Sequence, residues 1–176
     1  MNNPVLLENL RCIPDFPKKG INFRDVTTLY KNPECMKIMA DEMYELYKDK
    51  GITKIVGIES RGFVMAAALA TKLGAGVVLA RKPGKLPATV IKESFSKEYG
   101  VDTVEMHIDS IDENDVVLIH DDLLATGGTA KAALKLVNHF HPKKVYMNFI
   151  IEITDEGLHG RDCLEKDVEV TTLMVI

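Results

Sequence analysis

Two adjacent carboxylates, Asp121 and Asp122, are followed after Leu123-Leu124-Ala125 by Thr126-Gly127-Gly128-Thr129, which opens a helical pattern. A helix N-terminus carries unpaired amides and positive dipole charge, so it favours a phosphate. Gly127 and Gly128 let the backbone close on such an anion. Thr126 and Thr129 add hydroxyl donors, and Thr129 is also placed to cap the helix. A site for phosphate alone would not set two like charges beside it. Ionised carboxylates only accept hydrogen bonds or meet hard cations, so the ligand must also present hydroxyls or a magnesium ion. A sugar phosphate satisfies both halves. The plainer alternative is a solvated acidic turn before an ordinary helix, which requires strand, acid pair and glycine turn to coincide by chance.

The elements that must hold these groups can be read from apolar periodicity. Residues 116–119 form a buried strand with the acid pair where it runs out, and Ala130, Ala133, Leu134, Val137 and Phe140 mark the following helix. A second strand (54–58) and helix (62–73) enclose Glu59-Ser60-Arg61-Gly62, a turn at the carboxyl end of a strand, where open α/β sheets bind ligands. Residues 77–80 form another strand, leading to Arg81-Lys82-Pro83-Gly84-Lys85-Leu86-Pro87, a loop supplying the cations a phosphate ligand needs. Residues 92–108 read as a hairpin or flap, and 144–153 and 168–175 as further strands. Towards the amino terminus, residues 4–12 suggest a short amphipathic helix, with a shaped loop across 15–25. Asn32 caps a helix with Pro33 at its first position, and Met36, Met39, Ala40, Met43, Leu46 and Tyr47 are its core stripe up to Gly51. Alternating strands and helices predict an α/β fold, a central mainly parallel sheet flanked by helices.

The chain has 176 residues with 46% apolar content, enough for a single domain with a substantial core. A net charge of −4 without a basic cluster argues against nucleic acid as a partner. Cys12, Cys35 and Cys163 are odd in number and show no C-x-x-C, so a disulfide framework or zinc site is not expected; each is read as a small buried hydrophobe. His139 and His141 flank a helix end and His159 is isolated, giving no metal-ligand spacing. The amino terminus lacks signal-peptide features and no apolar run is long enough to span a bilayer, so a cytoplasmic location with no membrane partner is expected. The pattern G-x-x-x-x-G-K-[ST] of P-loop nucleotide hydrolases is absent.

The run Asp121-Asp122-Leu123-Leu124-Ala125-Thr126-Gly127-Gly128-Thr129 resembles the 5-phosphoribosyl-1-pyrophosphate (PRPP) loop of type I phosphoribosyltransferases, in its adenine-specific form. Three further stretches resemble the same family in the same order: Phe16-Pro17 through Gly20 to Phe23-Arg24-Asp25, Ser60-Arg61-Gly62-Phe63 with the Arg81–Pro87 loop, and Ser96-Lys97-Glu98-Tyr99-Gly100. The resemblance covers nearly the whole chain. It implies one domain over 1–176, with a hood in residues 1–30 and a mobile lid hairpin in 82–108.

It also implies roles. Asp121 and Asp122 hold the ribose hydroxyls, and Ala125, Thr126, Gly127, Gly128 and Thr129 wrap the 5′-phosphate. Ser60, Arg61, Arg81, Lys85 and Tyr99 meet pyrophosphate, and Arg81 can reach a neighbouring subunit's site. Asn22, Arg24 and Leu123 surround adenine, although Asn22 stands where the family usually carries Val, Ile or Leu. Ala125 replaces the Asp of hypoxanthine and orotate relatives, which moves proton transfer to Glu98 as the catalytic acid/base. His120 stands where Val is common and is read as a partly buried packing residue. The turn Leu158-His159-Gly160-Arg161-Asp162 resembles the family's L-x-G-R turn and is read as packing. The expected reaction is adenine plus PRPP to AMP plus pyrophosphate in a homodimer. Mg²⁺ is held mainly through PRPP, with Asp121 or Asp122 reached through water. Transfer to another base, or ligand sensing without catalysis, are the alternatives.

Overall fold

In the order met along the chain, the helices are α1 (Pro4–Asn9), α2 (Thr27–Tyr30), α3 (Pro33–Tyr47), α4 (Gly62–Leu73) and α5 (Gly128–Asn138). The strands are β1 (Arg11–Ile13), β2 (Phe23–Asp25), β3 (Lys54–Ile58), β4 (Gly76–Ala80), β5 (Val90–Lys97), β6 (Gly100–His107), β7 (Val116–Leu124), β8 (Lys144–Glu152) and β9 (Glu169–Val175). The computed structural model describes residues 2–97 and 100–176, and all of their side chains except those of Ser96, Lys97 and Glu156.

A parallel five-stranded sheet in the order β4-β3-β7-β8-β9 forms the centre. The inner strands β3, β7 and β8 are largely buried on both faces and accordingly read as apolar runs, whereas edge strand β4 leaves Val77 and Leu79 exposed. One face packs under α5 and the hairpin β5–β6, with Val56, Ile119, Met147 and Phe149 meeting Ala133 and Val137. The other face packs under α3 and α4, where Ile55, Leu118 and Ile150 meet Met39, Met43, Met65 and Leu69. Each large apolar side chain buried this way contributes about 1.5–3 kcal/mol. The methionine stripe of α3 is therefore core, and Asn32 caps that helix through Oδ1, which accepts from Glu34 N–H at 2.9 Å.

Three expectations are corrected. The helix at 4–12 ends at Asn9, and Arg11–Ile13 instead pairs antiparallel with Phe23–Asp25. This pairing is long-range: Arg11 faces Asp25 across it in an ion pair, and no local periodicity announces a three-residue strand. Thr27 and then the Arg11 guanidinium hold the Asp25 carboxyl down to about 2, so the hood's ion pair stays charged. Second, β7 does not stop before the acid pair. It runs on to Leu124, because β8 supplies ladder partners as far as Leu124↔Glu152. Third, Cys35 is buried as expected, but Cys12 and Cys163 are exposed. The hairpin expected across 92–108 is β5–β6, in register from Val90↔His107 to Lys97↔Gly100.

Candidate active site

The sheet order places the first strand laid down, β3, beside the third, β7, with β4 turned to the opposite side. Connections leave in opposite directions at that point, opening a crevice at the strands' carboxyl ends. The ladder between β3 and β7 ends at Gly57↔His120, whereas β7 continues to Leu124 on its β8 side alone. Asp121 and Asp122 therefore flank an open edge. A cavity of about 410 Å³ opens there, lined by Ser60, Arg61, Arg81, Asp121, Asp122 and Thr129 among others. A second, of about 210 Å³, is lined by residues 121–130 and Arg61. The two share Arg61, Asp121, Asp122 and Thr129, so they form one bipartite site.

The acid pair is the electrostatic centre. The Asp122 side chain is 5% exposed, and its Oδ2 lies 2.8 Å from Arg61 Nε. The Asp122 backbone amide donates to Asp121 Oδ1 at 2.9 Å. Burial, and then the charge of Asp122, push the Asp121 carboxyl well above its ordinary range. Burial also raises Asp122, against the opposing pull of Arg61. Two carboxylates this close resist full ionisation until donors or a cation reach them.

Arg61 is held from the hood side. Its carbonyl accepts from the Tyr30 hydroxyl at 3.0 Å, and its guanidinium lies 5.5 Å from the centroid of the Phe23 ring. Burial and the acid pair push the Tyr30 phenol far up, so it stays neutral. Neither Tyr30 nor Phe23 carried a signal in the sequence beyond its place in the hood.

The glycine turn differs in detail from expectation. Gly127, with φ +80°, is the N-cap of α5, and Thr129 lies inside the first turn instead of capping it. Without a side-chain cap, the first amides of α5 keep no partner from this source. Ala125, Thr126, Gly128 and Leu123 all line the smaller cavity.

His120 is fully buried, beyond the partial burial expected. Its Nδ1 lies 3.0 Å from Asn148 Oδ1, whose Nδ2 donates to Thr171 Oγ1 at 2.8 Å. Thr171 Oγ1 is 2.6 Å from the Tyr47 hydroxyl. Burial pushes the imidazole down to about 4, so it is neutral near pH 7.

The expected anion-binding cations are partly brought together. Glu59 accepts from Lys82 N–H at 2.8 Å and pairs with Arg81 Nε at 3.2 Å, and these two contacts hold its carboxyl below the usual range. Arg81 also donates to the Lys85 carbonyl at 3.2 Å. Lys82 lines the larger cavity; Lys85 is exposed beyond its lining. From the hairpin, Phe95, Asp102 and Thr103 line the same cavity, and sequence reasoning had singled out none of these as site residues. Glu98 and Tyr99 lie outside the described residues. Asn22 is exposed, while Arg24 pairs with Asp155 at 3.8 Å and keeps a buried Nε without a partner. Neither lines these two cavities.

The family model of the phosphoribosyl transferase domain matches residues 25–167. An adenine phosphoribosyltransferase of Phocaeicola vulgatus is 60% identical over 176 residues, covering all of both chains. The crystal structure of adenine phosphoribosyltransferase from Rhodothermus marinus superposes with a TM-score of 0.91 at 46% identity, over 98% of this chain and 97% of that one. That from Giardia lamblia, complexed with 9-deazaadenine, gives 0.92 at 39% identity, over 100% and 98%. Sheet order, bipartite crevice and full-length likeness agree, and the chain belongs to the phosphoribosyltransferase family, among its adenine phosphoribosyltransferases.

Proposed function

We propose that this protein transfers the 5-phosphoribosyl group of PRPP to adenine, giving AMP and pyrophosphate, as a purine salvage enzyme of the cytoplasm. The observation that carries the reading is the bipartite crevice, with a glycine-capped helix start on one side and Ser60 and Arg81 on the other, joined at the acid pair and Arg61. PRPP has the matching layout: a 5′-phosphate, two ribose hydroxyls and a pyrophosphate.

Breaking the bond from ribose to pyrophosphate leaves positive charge on the sugar and negative charge on the leaving group. Asp121 and Asp122 accept from the ribose hydroxyls and lie where the sugar's positive charge develops. Arg61, with Ser60 and Arg81, receives the leaving group's charge; fixed charges of this kind act at the transition state without reorganising. In the free site Arg61 leans on Asp122, so PRPP arriving gives both groups better partners. Hard oxygen donors suit Mg²⁺, and the carboxylates of Asp121 and Asp122 would offer it a water-mediated contact if it arrived with PRPP. Bound there, Mg²⁺ supplies further neutralising charge for pyrophosphate. Glu98 manages the purine ring proton, and the hairpin excludes water that would otherwise hydrolyse PRPP. Asn22, Arg24 and Leu123 flank the base.

A second copy of the chain completes the assembly. Edge strand β4, immediately before the Arg81 segment, exposes Val77 and Leu79, and α4 exposes Val64. An exposed apolar edge strand is normally covered.

Incubation with PRPP, Mg²⁺ and each purine base in turn tests the reading. AMP from adenine alone is the expected result; equal turnover of guanine or hypoxanthine would overturn the specificity, and no nucleotide at all would overturn the activity. Sedimentation of the same sample is expected to give the mass of two chains, and a single-chain mass would remove the homodimer.

A further inference from the structure

The short turn Gly160–Cys163, between β8 and β9, lies directly against the back of the glycine turn. A Cβ placed on Gly160 would sit 2.4 Å from the Ala125 carbonyl oxygen and 2.9 Å from the Gly127 nitrogen. A Cβ on Gly127 would meet the Gly160 oxygen at 2.4 Å and Cys163 Cβ at 3.1 Å. The Cys163 thiol donates to the Thr126 carbonyl at 3.4 Å. The backbones of Gly160 and of residues 125–127 are thus in direct contact, with the Cys163 side chain beside them.

The two glycines differ in why they are needed. Gly127 has φ +80°, a conformation other residues avoid, whereas Gly160 is not among the glycines with positive φ. The turn itself would accept any L residue at 160; only the loop pressed against it requires a bare Cα.

The turn is in turn fixed to the sheet. Arg161 Nε donates to Glu152 Oε1 at 2.9 Å, Nη2 pairs with Glu152 Oε2, and Nη1 donates to the Val170 carbonyl at 2.8 Å. Glu152 is buried at the end of β8, directly opposite Leu124, the last residue of β7 before the loop. The Arg161 guanidinium keeps its carboxyl below the usual range, so the anchor stays ionised. Residues 125–127 are therefore gripped at their start by the sheet and from behind by a turn tied to the same rung. Neither Gly160 nor Arg161 lines either of the two site cavities.

We propose that the Gly160–Cys163 turn is a positioning element for the 5′-phosphate, holding the amides of residues 126–129 in the binding arrangement before PRPP arrives. A loop with two consecutive glycines has high backbone freedom, and removing that freedom beforehand strengthens binding without adding a contact to the ligand. The inference rests on the reading of this loop as the phosphate site.

The test compares the parent with Gly160→Ala and Arg161→Ala, measuring KM for PRPP, Kd for AMP, KM for adenine at saturating PRPP, and kcat. Gly160→Ala is expected to raise KM for PRPP and Kd for AMP by about tenfold, because a loop displaced by the added Cβ must be reordered by the ligand on binding. KM for adenine and kcat should stay within about twofold, because the turn touches neither base nor leaving group. If Gly160→Ala is not recovered folded, Arg161→Ala decides, since it keeps the glycine and releases only the anchor; it should move the same two constants in the same direction. PRPP and AMP constants unchanged in the deciding variant, or KM for adenine rising and kcat falling to the same extent, would overturn the inference. A parent that makes no AMP would instead overturn the activity on which it rests.

Discussion

Asp122→Asn is expected to lower kcat/KM for PRPP by about 10²–10³-fold, the range typical of a fixed polar group aimed at a charge that develops in the transition state. The change is nearly isosteric, so packing around a side chain only 5% exposed is retained. On the proposed reading, what is lost is one negative charge opposite the cationic ribose and one acceptor for its hydroxyl. In the free protein the same change releases Arg61, whose Nε lies 2.8 Å from Asp122 Oδ2. It should also leave a signature in pH. Burial and the charge of Asp122 both raise the Asp121 carboxyl, so the neutral side chain of Asn removes the second cause and Asp121 ionises at lower pH. Where that ionisation sets the acid limb of kcat/KM, the limb moves to lower pH in the variant. Steady-state rates across pH 5–8, with melting curves to establish folding, provide the check. A variant with kcat/KM within about threefold of the parent would remove Asp122 from the ribose site.

Much of this arrangement is legible in the residues, for a physical reason. An inner parallel strand buried on both faces is a continuous apolar run and a core helix repeats its apolar residues at helical spacing, so 54–58 and 62–73 coincide with β3 and α4 to the residue. The glycine pair and acid pair are likewise local signals, because their chemistry requires adjacent positions. What stayed hidden depends on partners distant in sequence. Arg11–Ile13 is a strand only because Phe23–Asp25 lies alongside, and Asp121–Leu124 stays in a strand only because β8 is equally long. Tyr30 reaches the Arg61 carbonyl and Asp102 lines the crevice through tertiary contacts alone. The fully buried His120 was underestimated for the same reason: Asn148, which satisfies its Nδ1, is 28 residues away. Gly160 belongs with the hidden features, since both its ordinary φ and the loop pressed against it are visible only in the fold.

Glu98→Gln is expected to lower kcat by about 10²–10⁴-fold, the usual contribution of a positioned acid or base, while leaving KM for PRPP close to the parent value. The reasoning is by demand and supply of protons. Adenine must shift a ring proton as its nitrogen bonds to the ribose, and Ala125 offers no carboxylate beside the phosphate turn. His120 is neutral, fully enclosed, and engaged through Nδ1 with Asn148. On the proposed reading, Asp121 and Asp122 serve the sugar side. The hairpin that carries Glu98 pairs out to Lys97↔Gly100 and lines the crevice with Phe95, Asp102 and Thr103, so its arms reach the site. Glutamine preserves size and hydrogen bonding but cannot carry the proton. Asp102, the other hairpin carboxylate in the cavity lining, is the internal competitor, and Asp102→Asn measured in parallel separates the two. Turnover retained in Glu98→Gln but lost in Asp102→Asn would transfer the role to Asp102. Loss in Glu98→Gln with Asp102→Asn near the parent value would leave Glu98 as the group that moves the proton, and place the acid/base step on the hairpin.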